Sequence, residues 1–377
     1  MSHSPQQHQS ILVRGVNWLG DAVMATPALQ RLREAQPKAK ITLLTHVKLQ
    51  GLWRRHPAID EVILFAEGEN VFSVGRKLRE GKFDAALVLP NSPRSALETR
   101  LAGIPRRVGV ARPWRNWLLT EALPPHPGIV PMRKRPADEI KRLIQNGAPP
   151  AAEPRGVHHI HQYLHLAAAF GAKTEPMAPQ LFVSDGQIQK FMVTFNLTPE
   201  SRWFGLNPGA EYGPAKRWPE ERFIAAAVEL HRRTNCRWFL FGVTADWEAN
   251  ARILQGIHHR AARQGIRFSQ PLALNLAGET GLLELCAGLK FCRVLLTNDS
   301  GPMHVAAALG TPVVVPFGST SPEQTGPGLP GDTRHQILRA NAPCSPCFLR
   351  ECPVDFRCMN GISVESVVEA VEKVAGQ

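Results

Sequence analysis

The chain has 377 residues, of which 44% are apolar and 20% are charged, and its formal net charge is +12. This length suits two ordinary domains, and the composition is that of a globular protein, which excludes an intrinsically disordered one. The first ten residues are polar and no apolar run is long enough to span a membrane, so the protein is expected in the cytoplasm. Residues 1–185 hold 25 Lys and Arg against 15 Asp and Glu. This excess indicates an acidic partner for the first half, such as nucleic acid, an anionic membrane surface, or a phosphorylated or carboxylated substrate.

Short apolar runs alternate with helical patterns along the chain, and this alternation predicts parallel, doubly wound α/β sheets. The predicted strands are Ile11–Val13, Ile41–Leu44, Val62–Phe65, Ala85–Leu89 and Arg107–Val110, then Trp203–Asn207, Trp238–Phe241, Ala273–Leu276, Val294–Thr297, Pro312–Phe317 and His335–Leu338. The predicted helices include Thr26–Ala35, Val74–Arg79, Ala137–Gln145, Val157–Phe170 and Ser363–Val374. A proline-containing linker at Lys173–Ser184 divides the chain into Rossmann-like domains at 1–184 and 185–377, and the final helix, 363–374, can pack back on the first domain.

The first strand is followed by a turn framed by Gly15 and Gly20, and Asp21 comes directly after it. The turn lacks the three close glycines of a dinucleotide site and the Lys-Ser/Thr pair of a P-loop. A carboxylate at a helix N-terminus stays ionised readily, and it would repel a phosphate. The turn is therefore interpreted as presenting Asp21 as a base. The alternative is that Asp21 only caps the helix.

A second turn, Leu206–Pro219, also follows a predicted strand and precedes a helix. Gly209 and the nearby prolines let the backbone approach a ligand closely. Lys216 and Arg217 add two cations beside backbone N–H groups, a combination that suits a phosphate or diphosphate. In the alternative interpretation, the loop is shaped by proline and its cations face water.

A third turn follows the strand that ends at Thr297. The backbone N–H groups of Ser300, Gly301 and Met303 are predicted to form an anion cradle at a helix start, at the carboxyl end of the sheet. Asp299 is a candidate acceptor for a sugar hydroxyl. A merely well-capped helix would explain Ser300 but not His304.

Two acidic residues after the strand Trp238–Phe241 are further candidates for binding a ribose or sugar hydroxyl. The sequence does not choose between Asp246 and Glu248, and simple acidity at a helix start explains both equally well.

Four cysteines lie close together near the end of the chain: Cys344, Cys347, Cys352 and Cys358. Such a cluster could hold structural zinc or an iron–sulfur cluster, although its spacing matches neither common pattern well. The alternatives are reduced thiols or a conditional disulfide. A set of histidines, His158, His159, His161 and His165, includes an i, i+4 pair able to ligate a metal, but a helix surface is the simpler interpretation.

The three turns together resemble those of glycosyltransferase family 9, the lipopolysaccharide heptosyltransferases, and most closely its heptosyltransferase II branch. The resemblance runs from about Ile11 to about Val371. It rests on Gly20-Asp21, on Pro208–Glu211 with Gly213–Pro219, and on Thr297–Gly301 with Met303–Ala308. Pro302 departs from the usual small or apolar residue, and the cysteine-rich segment occurs in only part of the family.

The resemblance implies a GT-B fold, with two facing Rossmann-like domains and the active site in the cleft between them. It implies inverting, metal-independent transfer of heptose from ADP-L-glycero-D-manno-heptose to the heptosyl-Kdo inner core of lipopolysaccharide. Asp21 would be the general base, with no cofactor required. The basic first domain suits an acceptor bearing Kdo carboxylates and lipid A phosphates, with Arg112 and Arg115 as contacts, and it suits peripheral docking on the anionic inner membrane.

Three rival functions remain open from the sequence. One is a family 9 enzyme with another acceptor, of the heptosyltransferase I or III type. Another is a sugar-nucleotide epimerase with a similar fold, which would leave the basic first half unexplained. The third is a nucleic-acid binder, which lacks the interleaved aromatic residues of such modules. We therefore expect no nucleic-acid partner.

Overall fold

The computed structural model describes residues 7–147, 156–198, 202–266 and 271–376. The chain divides into two compact units. The first comprises Met1–Ile129 and Val157–Phe182, and the second comprises Val130–Gly156 and Val183–Gln377. Among the described residues, none of the helices has both the length and the apolar character needed to cross a bilayer.

The first unit is built on a six-stranded parallel sheet in the order β3-β2-β1-β4-β5-β6. Its strands are β1 (Ser10–Arg14), β2 (Lys40–His46), β3 (Glu61–Phe65), β4 (Ala85–Val88), β5 (Arg106–Val110) and β6 (Glu121–Leu123). Its helices are α1 (Leu19–Met24), α2 (Thr26–Ala35), α3 (Gln50–Trp53), α4 (Val71–Arg79), α5 (Pro93–Leu101) and, later in the chain, α7 (Ile160–Ala167). Ile11, at the centre of the sheet, pairs with Ile41 on one side and Ala85 on the other. It is fully buried, as expected for a strand covered on both faces.

The second unit repeats this architecture, with strand order β12-β11-β10-β7-β8-β9. Its strands are β7 (Trp203–Asn207), β8 (Arg237–Leu240), β9 (Ala273–Asn275), β10 (Leu295–Thr297), β11 (Val313–Phe317) and β12 (His335–Arg339). Its helices are α6 (Ala137–Asn146), α8 (Asp185–Thr194), α9 (Glu220–Thr234), α10 (Trp247–Arg263), α11 (Leu282–Phe291), α12 (Gly301–Ala308), α13 (Pro322–Thr325), α14 (Arg357–Asn360) and α15 (Val364–Ala375). In both units the strand order reverses at the sheet centre, which is the arrangement of a Rossmann fold. Open sheets of this kind bind ligands at the carboxyl ends of the strands beside that reversal.

The boundary between the units lies at Phe182, inside the predicted linker, but residues 130–156 belong to the second unit and not to the first. The reason is packing: Ile140 of α6 is fully buried in the core that also contains Phe204 and Trp218. The Arg135 backbone N–H also donates to the Cys347 carbonyl at 3.0 Å.

The last helix, α15, belongs to the second unit, and its return to the first domain stays a prediction. It packs against α9, β11 and β12 of its own unit, and Val367, Val368 and Val371 are fully buried in that core. These three valines lie on one face because they are separated by three or four positions. The helix is therefore part of the second unit.

Candidate active site

Asp21 is the third residue of α1, the helix that follows the central strand β1. The helix begins at Leu19, and its N-cap position is Trp18. Asp21 is therefore inside the first turn, where the helix dipole favours a negative charge. The preceding turn is braced by Arg14, whose guanidinium donates to the Gly15 carbonyl at 2.6 Å and to Asn17 Oδ1 at 2.9 Å.

Two side chains of the α7 region lie beside the Asp21 carboxylate. The Tyr163 hydroxyl donates to Asp21 Oδ1 at 3.3 Å. Burial raises the pKa of the Tyr163 phenol well above its usual value, and the Asp21 charge and hydrogen bond raise it further. Burial lowers the pKa of His159, against the opposing effect of the Asp21 charge. Tyr163 is therefore a neutral hydrogen-bond donor to the carboxylate over the physiological pH range.

In the second unit, two loops meet where the strand order reverses between β7 and β10. Asn298, at the end of β10, is fully buried. Its side-chain amide donates to the Pro208 carbonyl at 2.6 Å, and its side-chain oxygen accepts from the Trp218 backbone N–H at 2.9 Å. One side chain thus holds both ends of the loop that carries Gly209, Lys216 and Arg217.

Lys216 points into a buried cluster at this crevice. Its Nζ lies 2.6 Å from Asp299 Oδ2, and both side chains are largely buried. The Thr320 hydroxyl donates to the same carboxylate oxygen at 2.5 Å, and the Lys216 ammonium lies 4.8 Å from the centre of the Tyr212 ring. Asp299, predicted as a sugar contact, is thus the partner that fixes Lys216 in this structure.

The other predicted residues of this loop region have different surroundings. Arg217 is exposed, with its guanidinium 3.5 Å from the Ala210 carbonyl. The Asp246 carboxylate accepts from the Val243 N–H at 3.0 Å, and it lies so close to Gly209 that a Cβ there would approach its oxygen to 2.9 Å. Glu248 is exposed in the first turn of α10. The structure therefore brings Asp246, but not Glu248, against the Gly209 backbone.

The predicted anion cradle lies at the start of α12. Ser300 is the N-cap residue, and its hydroxyl accepts from the Asn207 side chain at 3.2 Å. Ser300 and Gly301 are partly exposed, whereas the side chains of Met303 and His304 are buried. Met303 can therefore offer a ligand only its backbone N–H. A helix N-terminus carries partial positive charge, so an anion is favoured beside Ser300 and Gly301.

The cysteine-rich segment is hydrogen-bonded to the loops that form this crevice. The Tyr212 hydroxyl donates to the Phe348 carbonyl at 2.8 Å, and the Ala215 N–H donates to the Arg350 carbonyl at 3.0 Å. The Cys347 N–H donates to the Ser319 carbonyl at 3.1 Å, next to Thr320. The segment thus positions both loops around Lys216.

The possible metal site at the four cysteines is not assembled in the part of the chain that the structure describes. Among the residues that the structure describes, no group of three or more His, Cys, Asp or Glu is placed to hold a metal ion. Cys344, Cys347 and Cys358 are buried, and burial raises the pKa of each thiol, that of Cys358 to about 12. Cys352 is partly exposed and its sulfur lies 3.3 Å from the Phe356 N–H. These residues pack as thiols of the core.

Of the four predicted histidines, His161 and His165 pack against the ring of His126. The His126 ring centre lies 5.7 Å from those of His161 and His165. The His126 pKa is lowered by burial and by the charges of these two neighbours.

Arg115 is not the surface acceptor contact that was predicted. Its side chain is fully buried and donates to the Pro90 carbonyl, and it fills the space beside Gly109. Burial lowers the pKa of the Arg115 guanidinium to about 10, with a smaller contribution from Arg112. Arg112 is exposed and remains available to a ligand.

Sequence reasoning missed Tyr163, Thr320 and the buried pair of Arg14 with Glu98, whose Nε–Oε2 distance is 2.9 Å. The i, i+4 spacing of His159 and Tyr163 places both on one helix face, but nothing local to α7 shows that this face meets Asp21.

Comparison with known proteins gives consistent relationships. Residues 137–356 match "Glycosyltransferase family 9 (heptosyltransferase)". The chain is 33% identical over 323 residues to lipopolysaccharide heptosyltransferase 2 of Salmonella typhimurium, covering 84% of this chain and 85% of that one. The structure of E. coli ADP-heptose lps heptosyltransferase II matches with a TM-score of 0.76 and 30% identity, covering 98% of this chain and 99% of that one. E. coli heptosyltransferase WaaC with ADP shares the fold alone, with a TM-score of 0.66 and 17% identity over 97% of this chain and 100% of that one. The two Rossmann-like units are those of the GT-B class, and the chain belongs to glycosyltransferase family 9, the heptosyltransferases.

Proposed function

We propose that the protein transfers L-glycero-D-manno-heptose from ADP-heptose to the heptosyl-Kdo inner core of lipopolysaccharide, at the cytoplasmic face of the inner membrane. The family membership and the similarity to lipopolysaccharide heptosyltransferase 2 support the acceptor and the sugar. The name of the structural neighbour, which includes ADP-heptose, supports the donor. The observation that carries the chemistry is the Asp21 carboxylate, held by the Tyr163 hydroxyl at the carboxyl edge of a parallel sheet.

In this proposal Asp21 removes the proton from the acceptor hydroxyl as that oxygen attacks the anomeric carbon of the heptose. ADP leaves from the opposite face of the sugar, so a single displacement inverts the anomeric centre. A carboxylate is a weak base, and it acts here because the attacked carbon is oxocarbenium-like and the proton moves late. Tyr163 stays protonated and holds the carboxylate. Arg112, exposed on the same basic unit, is assigned to the acceptor.

The second unit is assigned to the donor. Lys216, exposed Arg217 and the N-terminus of α12 at Ser300 and Gly301 would stabilise the charge of the departing diphosphate, so that no metal is needed. The buried contact with Asp299 holds the Lys216 ammonium in the crevice.

The remaining donor contacts follow from the same crevice. The backbone at Gly209, with Asp246 against it, is assigned to the nucleoside. The other predicted donor residues, Glu248, Met303 and His304, are assigned lesser roles because they are exposed on a helix or buried in the core.

The direct test is an incubation with ADP-heptose and three acceptors: Kdo-lipid A, the monoheptosyl form and the diheptosyl form, with products identified by mass spectrometry. We expect one added heptose only on the monoheptosyl acceptor, unchanged by EDTA, with inverted anomeric configuration by NMR. Product on Kdo-lipid A or on the diheptosyl form would assign the enzyme to another branch of the family. Loss of activity in EDTA that is restored by a divalent metal would contradict metal independence.

The Asp21→Asn variant tests the base. It should lower kcat by at least about a hundredfold, as expected for loss of a general base, while ADP-heptose binding measured by calorimetry stays nearly unchanged. Asp185→Asn, which changes a first-turn aspartate of α8, is the matched control and should retain activity. Equal loss of binding and turnover in Asp21→Asn would reassign the residue to donor binding or to structure.

A further inference from the structure

One face of the first unit exposes large aromatic side chains to solvent. Trp114 is 80% exposed, Trp117 66% and Phe72 63%. Isolated exposed apolar residues are common, but three large aromatic ones around a single helix pair need an explanation. Phe72 lies in the first turn of α4, and the two tryptophans lie in the connection between β5 and β6.

Phe72 belongs to α4, Trp117 lies at the end of α5, and Trp114 is located through its neighbour Arg115, which donates to the Pro90 carbonyl just before α5. The two helices pack against each other, and the Arg94 guanidinium in the first turn of α5 donates to the Glu69 carbonyl just before α4. At the other end of α5, the Arg100 guanidinium lies 5.6 Å from the Trp117 ring centre. Both helices cover the same face of the sheet, because their right-handed crossovers advance in one direction, from β3 to β4 and from β4 to β5. We call this surface the α4/α5 face.

The α4/α5 face carries more cations than carboxylates, although Lys77 is paired with Glu69 at 3.0 Å and exposed Glu80 follows Arg79 at the end of α4. The two helices carry five cations, Arg76, Lys77, Arg79, Arg94 and Arg100. Their one carboxylate, Glu98, is fully buried and is paired with Arg14 and Arg94. Arg112, two positions before Trp114, adds a further exposed cation.

We propose that the α4/α5 face docks on an anionic lipid bilayer, with Phe72, Trp114 and Trp117 at the boundary between headgroups and acyl chains. Tryptophan favours this boundary, and arginines beside it attract anionic lipid headgroups. The inference deepens the proposed function, since it rests on an acceptor that is anchored in a membrane. The first turns of α4 and α5 lie at the same sheet edge as Asp21, because all three follow the carboxyl ends of parallel strands. Docking would therefore bring that edge close to the lipid surface.

Nucleic acid matches the charge of this face but not its aromatic residues. Single-stranded nucleic acid is bound in basic grooves in which bases stack on aromatic rings. Here Phe72 lies at the start of α4 and Trp117 lies at the far end of α5, so the rings do not line one groove. This arrangement favours a lipid surface.

The test is co-sedimentation of the full chain with vesicles of phosphatidylethanolamine and phosphatidylglycerol, compared with phosphatidylcholine alone and with single-stranded RNA at the same salt. We expect binding to the anionic vesicles only. Phe72→Ser combined with Trp114→Ser should weaken it at least about tenfold. Arg76→Gln combined with Arg100→Gln should weaken binding to the anionic vesicles by about fivefold per cation. The matched controls, exposed Val193→Ser and exposed Arg260→Gln with Arg263→Gln, should bind like the wild type.

Quenching by brominated lipids reports insertion independently of affinity. Vesicles with brominated acyl chains should quench the wild-type tryptophan emission, and Trp114→Phe should lose part of that quenching while still binding. Wild-type affinity in both double variants, or binding to RNA but not to vesicles, would overturn the proposal.

Activity assays separate this proposal from the catalytic one. The Phe72→Ser/Trp114→Ser variant should lose activity on acceptor embedded in vesicles and keep it on a deacylated, water-soluble acceptor. Equal loss on both acceptors would contradict membrane docking as the role of these residues. If the wild type transfers heptose to neither acceptor, the proposed function fails, and the vesicle measurements still decide whether the α4/α5 face docks on lipid.

Discussion

Tyr163 is one of only two tyrosines in the chain, and its hydroxyl lies 3.3 Å from Asp21 Oδ1. Hydrogen bonds to charged groups contribute about 1.5–3 kcal/mol, and this one favours the ionised carboxylate. We therefore predict that Tyr163→Phe lowers kcat about tenfold, leaves the KM for ADP-heptose unchanged, and moves the acidic limb of the kcat–pH profile to higher pH. Steady-state kinetics across pH provide the measurement.

The other tyrosine offers a matched control for that variant. Tyr212 donates its hydroxyl to the Phe348 carbonyl in the second unit, so Tyr212→Phe removes a partly buried hydrogen bond that does not involve Asp21. The acidic limb of the kcat–pH profile of Tyr212→Phe should match that of the wild type. If Tyr163→Phe lowered kcat without moving the limb, Tyr163 would have a packing role instead of a positioning one.

The Lys216–Asp299 ion pair is expected to affect both the stability of the protein and its affinity for ADP. Removing one partner of a buried pair leaves the other charge unpaired, which costs about 3–5 kcal/mol, whereas removing both costs less. We predict that Lys216→Met and Asp299→Asn each lower the free energy of unfolding. In the double variant the loss should be smaller than the sum of the two single losses. ADP affinity should fall at least about tenfold in both variants that lack Lys216. Urea unfolding and calorimetry with ADP measure the two effects separately.

Another lysine of the same unit gives the control for this cycle. Lys290 donates to the Leu309 carbonyl at 2.7 Å, at the end of α12 away from the crevice. Lys290→Met should alter stability but not ADP affinity. Recovery of ADP affinity in the Lys216→Met/Asp299→Asn variant would show that the ammonium does not bind the diphosphate.

The loop after β7 depends on one glycine for its path. Gly213 has a φ of 149°, and a Cβ there would lie 2.5 Å from the Arg350 carbonyl oxygen. Both the backbone conformation and the contact disfavour a side chain, so Gly213→Ala should lower the free energy of unfolding by about 1–3 kcal/mol. It should also weaken donor binding, because Lys216 lies in the same loop. Gly186→Ala is the control: nothing lies within 4 Å of a Cβ there, and alanine favours the helix α8. Unchanged donor affinity in Gly213→Ala would mean that the loop adjusts without moving Lys216.

Most elements could be predicted from the sequence because buried parallel strands are short, apolar and β-branched, and their helices have regular spacing. The helix Thr26–Ala35 was predicted with its observed bounds, and β7 likewise. The strand β6 was missed because it has three residues, of which the middle one is exposed. The membership of α6 in the second unit was also missed, since it depends on contacts of Ile140 and Arg135 with residues far along the chain.

In the candidate site, too, residues with a local sequence pattern could be predicted, whereas contacts between distant parts of the chain could not. Asp21, Lys216 and Asp299 could be proposed as site residues because glycine-containing turns after apolar strands mark the carboxyl edge of a sheet. The partners of these residues could not be found. Tyr163 is separated from Asp21 by 142 positions, and Thr320 from Asp299 by 21. The burial of Arg115 beside Gly109 could not be predicted either, because its position in a loop does not show which residues pack around it.

Across the whole molecule, buried histidines should make stability depend on pH. Burial lowers the pKa of His56 in the first unit and of His335 in the second from 6.5 to about 4. Above pH 6.5 both histidines are neutral whether the chain is folded or unfolded, so they contribute no pH dependence there. As the pH falls below 6.5 the unfolded chain binds protons that the folded protein does not, and the free energy of unfolding decreases until about pH 4.

At pH 5 this difference amounts to about 2 kcal/mol for each histidine. We predict that each unit is less stable at pH 5 than at pH 7 by at least this amount, measured by urea unfolding followed through hydrogen exchange of peptides from each unit. His56→Gln should remove about 2 kcal/mol of the pH sensitivity from the first unit and leave the second unchanged, and His335→Gln should do the reverse. His259→Gln, at an exposed position of α10, is the control and should leave both units as pH-sensitive as the wild type. The explanation by buried neutral imidazoles fails if His56→Gln and His335→Gln both retain the full loss of stability between pH 7 and pH 5.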